Sequence, residues 1–410
     1  MASNTNGKWN HQRWGTLDDP IHKSQLSSIT GNFGCLRAFR YSMQETERPE
    51  RETVSGKACI GNASHETIAR ALNNPEMREA LLAGRPVATG PVRDVFQQEM
   101  VRAGGGRELT WGPKDSPDKV VEDAVWMTVA LLNDLHNHVA EVVEVEAGFI
   151  APLGDYWTAG HVDLVYRPRS APDTIAFCDW KTGQQRPDPI DLEHGFESGL
   201  YANALHDGIF LSRELVQIEQ VVDEDGCVGG WKATGPYGVE ITGSSRFRVE
   251  RAGMEAVLVA MGRELVDTGG EVSVGRRFHE FPSSMHVVHM RDYLPYTRKQ
   301  KKRVDRPEEM EFFGLTEPGE VTCEKGDGRG PAWWQMRRTA RDVVRLEHLV
   351  RNVVGVVRMG RFFESVGEKC KRCAFRAPCL TAGYAPKGEE KKQIEGALKG
   401  LDLDELGDVA

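Results

Sequence analysis

With 410 residues, 40% of them hydrophobic and 28% charged, the chain has the composition of a soluble globular protein and the length for one elaborate domain or two ordinary ones. A formal net charge of −9 excludes a generally basic nucleic-acid coat, though not a local basic channel, and no apolar run approaches the length of a membrane span. Residues 1–20 lack the apolar core of a signal peptide, so a cytoplasmic protein is expected, and its eight cysteines are not expected to form disulfides.

Residues 1–20 read as a flexible arm. Ser24 is a good N-cap, and Leu26, Ile29 and Phe33 give the following helix an apolar stripe that runs into GCLRAFRY, with Cys35. In SGKACIGNASHETIARAL, Ile60, His65, Ile68, Ala69 and Leu72 fall near one face of a second helix. A histidine on such a face is more often a satisfied core residue than a ligand. Residues 75–140 are mostly helical, broken by Gly and Pro at 84–91 and by a loop at 103–118, and they read as a helical insertion roofing the core. The strand VAEVVEVEAGFIAP follows, with Glu144 and Glu146 alternating with valines, so that one of them can face a site or merely a solvated edge.

The centre of the chain is Thr158–Gly183, two strands joined by a proline-bearing turn. Period-2 alternation puts Asp163 on one face with His161 and Val165. On the second strand it puts Ile175, Phe177, Asp179 and Lys181 on one face, with Ala176, Cys178 and Trp180 on the other. Two carboxylates and an amine at a strand end can hold a hard divalent cation and a water, and the bare spacing fits a surface ion-pair cluster equally well. Beyond Gly183, DLEHGFESGLYANALHDG is a helix with Glu197 and Tyr201 four apart on one face. Strands with glycine turns over 209–245, a helix near 248–267 and a strand at 286–293 carry no catalytic signal. Cys59 and Cys178 read as core residues, Cys227 and Cys323 as loop thiols.

Residues 298–306 hold six basic residues and one acid, and residues 333–376 hold eleven basic residues against four acids. Arg337, Arg338 and Arg341 are candidates for tracking a phosphate backbone, with Trp333 and Trp334 available to stack on bases. CKRCAFRAPC supplies Cys370, Cys373 and Cys379, a metal-ligand spacing that needs a fourth ligand from elsewhere and that by itself slightly favours zinc over a [4Fe–4S] cluster. The last segment, 386–410, is an acidic, disordered tail by composition.

GHVDLV followed sixteen residues later by DWKTG resembles the PD-(D/E)XK nuclease superfamily, in particular its RecB-like and AddB-like branch. The resemblance spans about residues 24–385. It implies an α/β fold, a restriction-endonuclease-like core with a mixed central sheet, forming one domain over 21–385. That domain would carry a helical insertion at about 75–140, a β/α insertion at about 209–295 and a basic helical part at about 331–385. It implies His65 (within GNASH), Asp163 and Asp179 as ligands of Mg2+ or Mn2+, and Lys181 as the group that orients the attacking water. Tyr201 matches a Gln-x-x-x-Tyr helix of that branch, where Glu197 stands in place of the glutamine. It further implies that Cys35, Cys370, Cys373 and Cys379 bind a [4Fe–4S] cluster, a clip between the two ends of the domain, although Leu36 replaces the proline usual after the first cysteine.

The implied activity is metal-dependent DNA cleavage, as an exonuclease or end-processing enzyme on single strands in recombination, repair or replication. No GxxxxGK[ST] phosphate loop is present, so unwinding would require a helicase or recombination partner. The alternatives are a catalytically weak nuclease-fold scaffold that binds DNA within a recombination or CRISPR-like complex, and RNA as the substrate.

Overall fold

The computed structural model describes residues 9–30, 35–43, 53–183, 196–222, 228–244, 246–282, 284–294, 296–297, 302–303, 333–336 and 338–362. They fall into two units. The larger takes in His11–Leu26 and Arg51–Met359, and the smaller the described residues 9–10, 27–30, 35–43 and 360–362. In chain order the helices are α1 (Lys23–Thr30), α2 (Leu36–Met43), α3 (Gly56–Asn73), α4 (Pro75–Leu82), α5 (Thr89–Gly104), α6 (Pro117–His138), α7 (Phe196–Asp207), α8 (Arg246–Thr268) and α9 (Ala340–Arg358). The strands are β1 (Ile21–His22), β2 (Thr53–Ser55), β3 (Glu108–Thr110), β4 (Val139–Leu153), β5 (Tyr156–Pro168), β6 (Ala176–Lys181), β7 (Ile209–Leu211) and β8 (Gln217–Val222). They continue with β9 (Val228–Gly235), β10 (Val239–Gly243), β11 (Ser284–His289), β12 (Tyr296–Thr297), β13 (Lys302–Arg303) and β14 (Trp333–Met336).

The larger unit is built on a mixed sheet of order β14-β11-β6-β5-β4-β7, with β1 added beside β5. The β4–β5 hairpin and the β5–β6 pair are antiparallel, while β6–β11 and β1–β5 are parallel. One face is covered by α3–α6: Leu164, Tyr166, Ala176, Cys178 and Trp180 join Ile68, Leu72, Phe96, Leu131 and Leu135 in a single buried cluster. On the opposite face Val165, Ile175 and Phe177 pack with Tyr201 and Leu205 of α7. The expected alternation along β6 is therefore the observed one, and residues 75–138 do form the helical cover. A third cluster, around Met254, Val257 and Leu258, sets α8 against Ile150, Ile209 and the sheet β10-β9-β8. In the smaller unit Phe39 of α2 is buried, with Trp9 edge-on to it at 5.4 Å.

Local chemistry marks the helix ends. Asn74 accepts from the Met77 amide ahead of Pro75, and Thr339 with Asp342 forms a capping box at the start of α9. Two local expectations change. The 103–118 loop contains β3, which pairs with β2. The region expected to be helical from 331 begins with a strand, β14, whose Trp333–Val288 and Trp334–Val287 pairs extend the central sheet before α9 starts. Two adjacent tryptophans favour a pleated surface, and the partner strand β11 decides their state. Among the described residues no helix is long and apolar enough to cross a membrane.

Candidate active site

The site forms where β4, β5 and β6 run side by side. Val145 pairs with Leu164 and Ala147 with Val162, which sets Glu146 opposite Asp163. Leu164 pairs with Cys178, so one residue further on Asp163 comes opposite Asp179, and the Trp180 amide donates to Asp163 Oδ2 at 2.6 Å. The hairpin is bent here. Val145 and Leu164 belong to the core under α3–α6, whereas Ala147 and Val162, two residues away on the same strands, belong to the opposite core. Glu146, between them, has φ 47°, a left-handed conformation rare for a glutamate. Sites that need a particular side-chain direction are where such strain is tolerated. His161 leaves the face expected for it: Val165 is in the α7-side core, while His161 is exposed and lies with His22, Arg251 and Glu255.

α3 brings His65 to this bend. Gly61, one turn earlier, faces the Thr182 hydroxyl, 3.4 Å from where a Cβ would sit, so α3 runs alongside the segment that follows Lys181. His65 Nδ1 stands 3.0 Å from Glu146 Oε1 and 3.4 Å from Asp163 Oδ1. Burial works against a charged imidazole, but Asp163 and Glu146 outweigh it and hold the His65 pKa well above the ordinary histidine range. The Glu146 carboxyl is shifted up, first by burial and then by Asp163.

His65, Glu146 and Asp163 each offer one ligand atom, and these lie within 4.8 Å of one another. One imidazole nitrogen and two carboxylate oxygens suit a hard divalent cation such as Mg2+ or Mn2+, so the residues fit the metal that the motifs imply. Two expected ligands, His65 and Asp163, are in this set. The third member is Glu146, whereas Glu144, its competitor on the alternating strand, faces Arg276 at 3.6 Å.

Asp179, the third expected ligand, lies beside the trio with its carboxylate between two ammonium groups. Lys181 Nζ is 2.6 Å from Oδ2 and Lys23 Nζ is 3.4 Å from Oδ1. Burial raises the pKa of this carboxyl, and Lys181 and Lys23 together overcome that and hold it far below the usual range. Tyr201 donates to Asp179 Oδ1 at 3.4 Å and accepts from Lys23 at 2.5 Å. Glu197 stands 3.6 Å from Lys181 and 3.8 Å from Lys23. A glutamate where the motif has glutamine therefore meets two cations here. Lys23 lies outside every motif, and its separation of 156 residues from Asp179 hides it from any local pattern.

This arrangement can bind a divalent cation, and it presents an ammonium beside it where negative charge would build up on a phosphate. Residues 34–224 match the PD-(D/E)XK nuclease superfamily. The matched segment runs through His65, Glu146, Asp163, Asp179, Lys181, Glu197 and Tyr201, and supports a PD-(D/E)XK nuclease superfamily domain within the chain. No curated protein matches the chain.

The residues considered for nucleic-acid contact separate. Trp333 is buried, stacked on His138 at 3.8 Å, and its indole donates to Asp134 at 2.9 Å, so its faces are closed to a base. Arg338 is buried and donates to Ser198 Oγ at 2.8 Å. Arg341 is exposed on α9, Trp334 is half-buried, and Arg337 lies outside the described residues. Of the four cysteines expected to bind a cluster, Cys35 is described and half-buried, while Cys370, Cys373 and Cys379 lie outside the described residues.

Proposed function

We propose that this chain is a divalent-metal-dependent deoxyribonuclease, acting on single strands or duplex ends as an exonuclease or end-processing enzyme in recombination, repair or replication. The observation that carries the reading is the convergence of His65, Glu146 and Asp163 within 4.8 Å, beside an Asp179–Lys181 pair at 2.6 Å. Bound by the trio and by Asp179, Mg2+ or Mn2+ would polarise a phosphoryl oxygen and lower the pKa of a water. Lys181, fixed by Asp179, orients the nucleophilic water and offsets charge developing on the phosphate. Asp163, held by the Trp180 amide, keeps a defined direction toward His65 and Glu146. Tyr201 and Glu197 hold the ammonium groups in place.

The local excess of basic residues after 333 supports binding of a nucleic-acid backbone through Arg337, Arg341 and their neighbours, with Trp334 as the remaining aromatic candidate. The order of Cys35, Cys370, Cys373 and Cys379 around the nuclease motifs, as in the branch the sequence resembles, supports a [4Fe–4S] cluster over the zinc that the spacing alone slightly favours. Equal iron and acid-labile sulfide in anaerobically purified protein is expected, and zinc without sulfide would reject it. Glu197 in place of glutamine favours one second reading, a weakly active scaffold that binds DNA for a recombination, helicase or CRISPR-like partner.

A single assay separates these readings. Purified protein with Mn2+ is given linear and circular, single- and double-stranded DNA, alongside Lys181→Ala. Cleavage of linear DNA that is lost in Lys181→Ala is the expected result. Binding without cleavage in the unmodified protein would leave the scaffold.

A further inference from the structure

Lys23 reaches the site from the first turn of α1. Its Nζ donates to Tyr201 at 2.5 Å and stands 3.4 Å from Asp179 Oδ1 and 3.8 Å from Glu197 Oε2. Asp163 attracts it as well. Its side chain is 26% exposed where that of Asp179 is 5% exposed, so the ammonium is the more open member of the pair. Lys181 is already paired with Oδ2 of Asp179. Asp179 thus meets an ammonium at each oxygen, so a cation beside Asp163 can draw on this carboxylate only by displacing one of them, and Lys23, with the longer contact of 3.4 Å against 2.6 Å, is the more readily displaced.

An ammonium and a divalent cation draw on the same lone pairs of a carboxylate and repel one another at close range. Building on the reading of this site as a divalent-metal nuclease centre, we infer that Lys23 is a positioning residue that competes with the metal for Asp179 and thereby sets the metal concentration the site requires. Tyr201 steadies the ammonium, and Glu197 offers it a second carboxylate as it leaves Asp179. The coupling is reciprocal: an anion that draws Lys23 away, such as a phosphate of the substrate strand, strengthens metal binding by the same factor as metal strengthens binding of that anion.

The test is calorimetric titration of the full chain with Mn2+ alone, comparing the unmodified protein with Lys23→Met and Lys23→Arg. Methionine keeps most of the stem and removes the charge, while arginine keeps the charge. Lys23→Met is expected to bind Mn2+ on the order of tenfold more tightly, and Lys23→Arg to stay within roughly twofold of the unmodified protein, the range in which one removed competitor shifts a coupled site. A lysine that only supported the fold would give the opposite sign, because its loss would weaken the site. Unchanged or weaker Mn2+ binding in Lys23→Met overturns the inference, as does an equal gain in Lys23→Arg. Unmodified protein that binds no Mn2+ overturns the metal reading of the whole site and the competition with it. Mn2+ binding that is the same in the unmodified protein and in Lys23→Met removes only the role of Lys23.

Discussion

Glu146 carries a left-handed φ of 47° in the middle of a strand, where glycine would sit without strain and glutamate does not. The conformation is compatible with a functional demand, since it turns the carboxylate to within 3.0 Å of His65. Glu146→Gly is therefore expected to separate stability from function. Relief of the left-handed conformation favours the fold by about 1 kcal/mol, while loss of a ligand weakens Mn2+ binding. Urea denaturation and calorimetry on the same variant check the two signs. Asp163, Asp179 and Lys181 complete the site around Glu146. Asp163→Ala, Asp179→Ala and Lys181→Ala are each expected to reduce cleavage by about a thousandfold or more with DNA binding largely kept. Full cleavage by Asp179→Ala would remove the assignment of the site.

At the scale of elements, β14 and β11 are tied to α6 and to β5 by a buried polar group of side chains. Tyr293 and Trp333 both donate to Asp134 Oδ2, His138 stacks on Trp333, and the Tyr166 hydroxyl meets His286 Nδ1 at 2.6 Å. Trp333→Phe keeps the aromatic area and removes a buried donor, so it is expected to lower unfolding free energy by about 1–3 kcal/mol. Affinity for single-stranded DNA should not change, whereas a base-stacking tryptophan would lose affinity. His286 gives this region a pH dependence. Burial, with a contribution from His138, lowers its pKa from 6.5 to about 4. The folded state thus disfavours the protonated form. Its contribution is complete above pH 6.5 and is lost as pH falls toward about 4. The loss amounts to at most about 3 kcal/mol over that window, and His286→Gln should flatten it in denaturation series run between those pH values.

For the molecule as a whole, a chain of net charge −9 must confine any affinity for nucleic acid to a local surface. On α9 Arg341 and Arg345 are exposed, whereas Arg351 is tied to Glu347 at 2.5 Å. Neutralising Arg341 and Arg345 together is expected to lower the slope of log affinity against log salt for single-stranded DNA by roughly 1.4, about 0.7 for each phosphate that is no longer neutralised. An unchanged slope would move the path of the strand elsewhere. Sequence alone determined the parts of this protein that depend on neighbours in the chain. The D-W-K strand, the alternation of Phe177 and Cys178 between two cores, the histidine of α3 and the helical cover over 75–138 all follow from side-chain periodicity or from a short motif. The tertiary structure alone decided the rest. Counting by twos fails at the bend between Val145 and Ala147, so Glu146 rather than Glu144 joins the site, and His161 parts from Val165. The placement of Lys23 against Asp179, and of Trp333 inside the core, depends on which distant segments pack together. Periodicity carries no information about that, because it records which way a side chain points along its own element and not what another element brings to meet it.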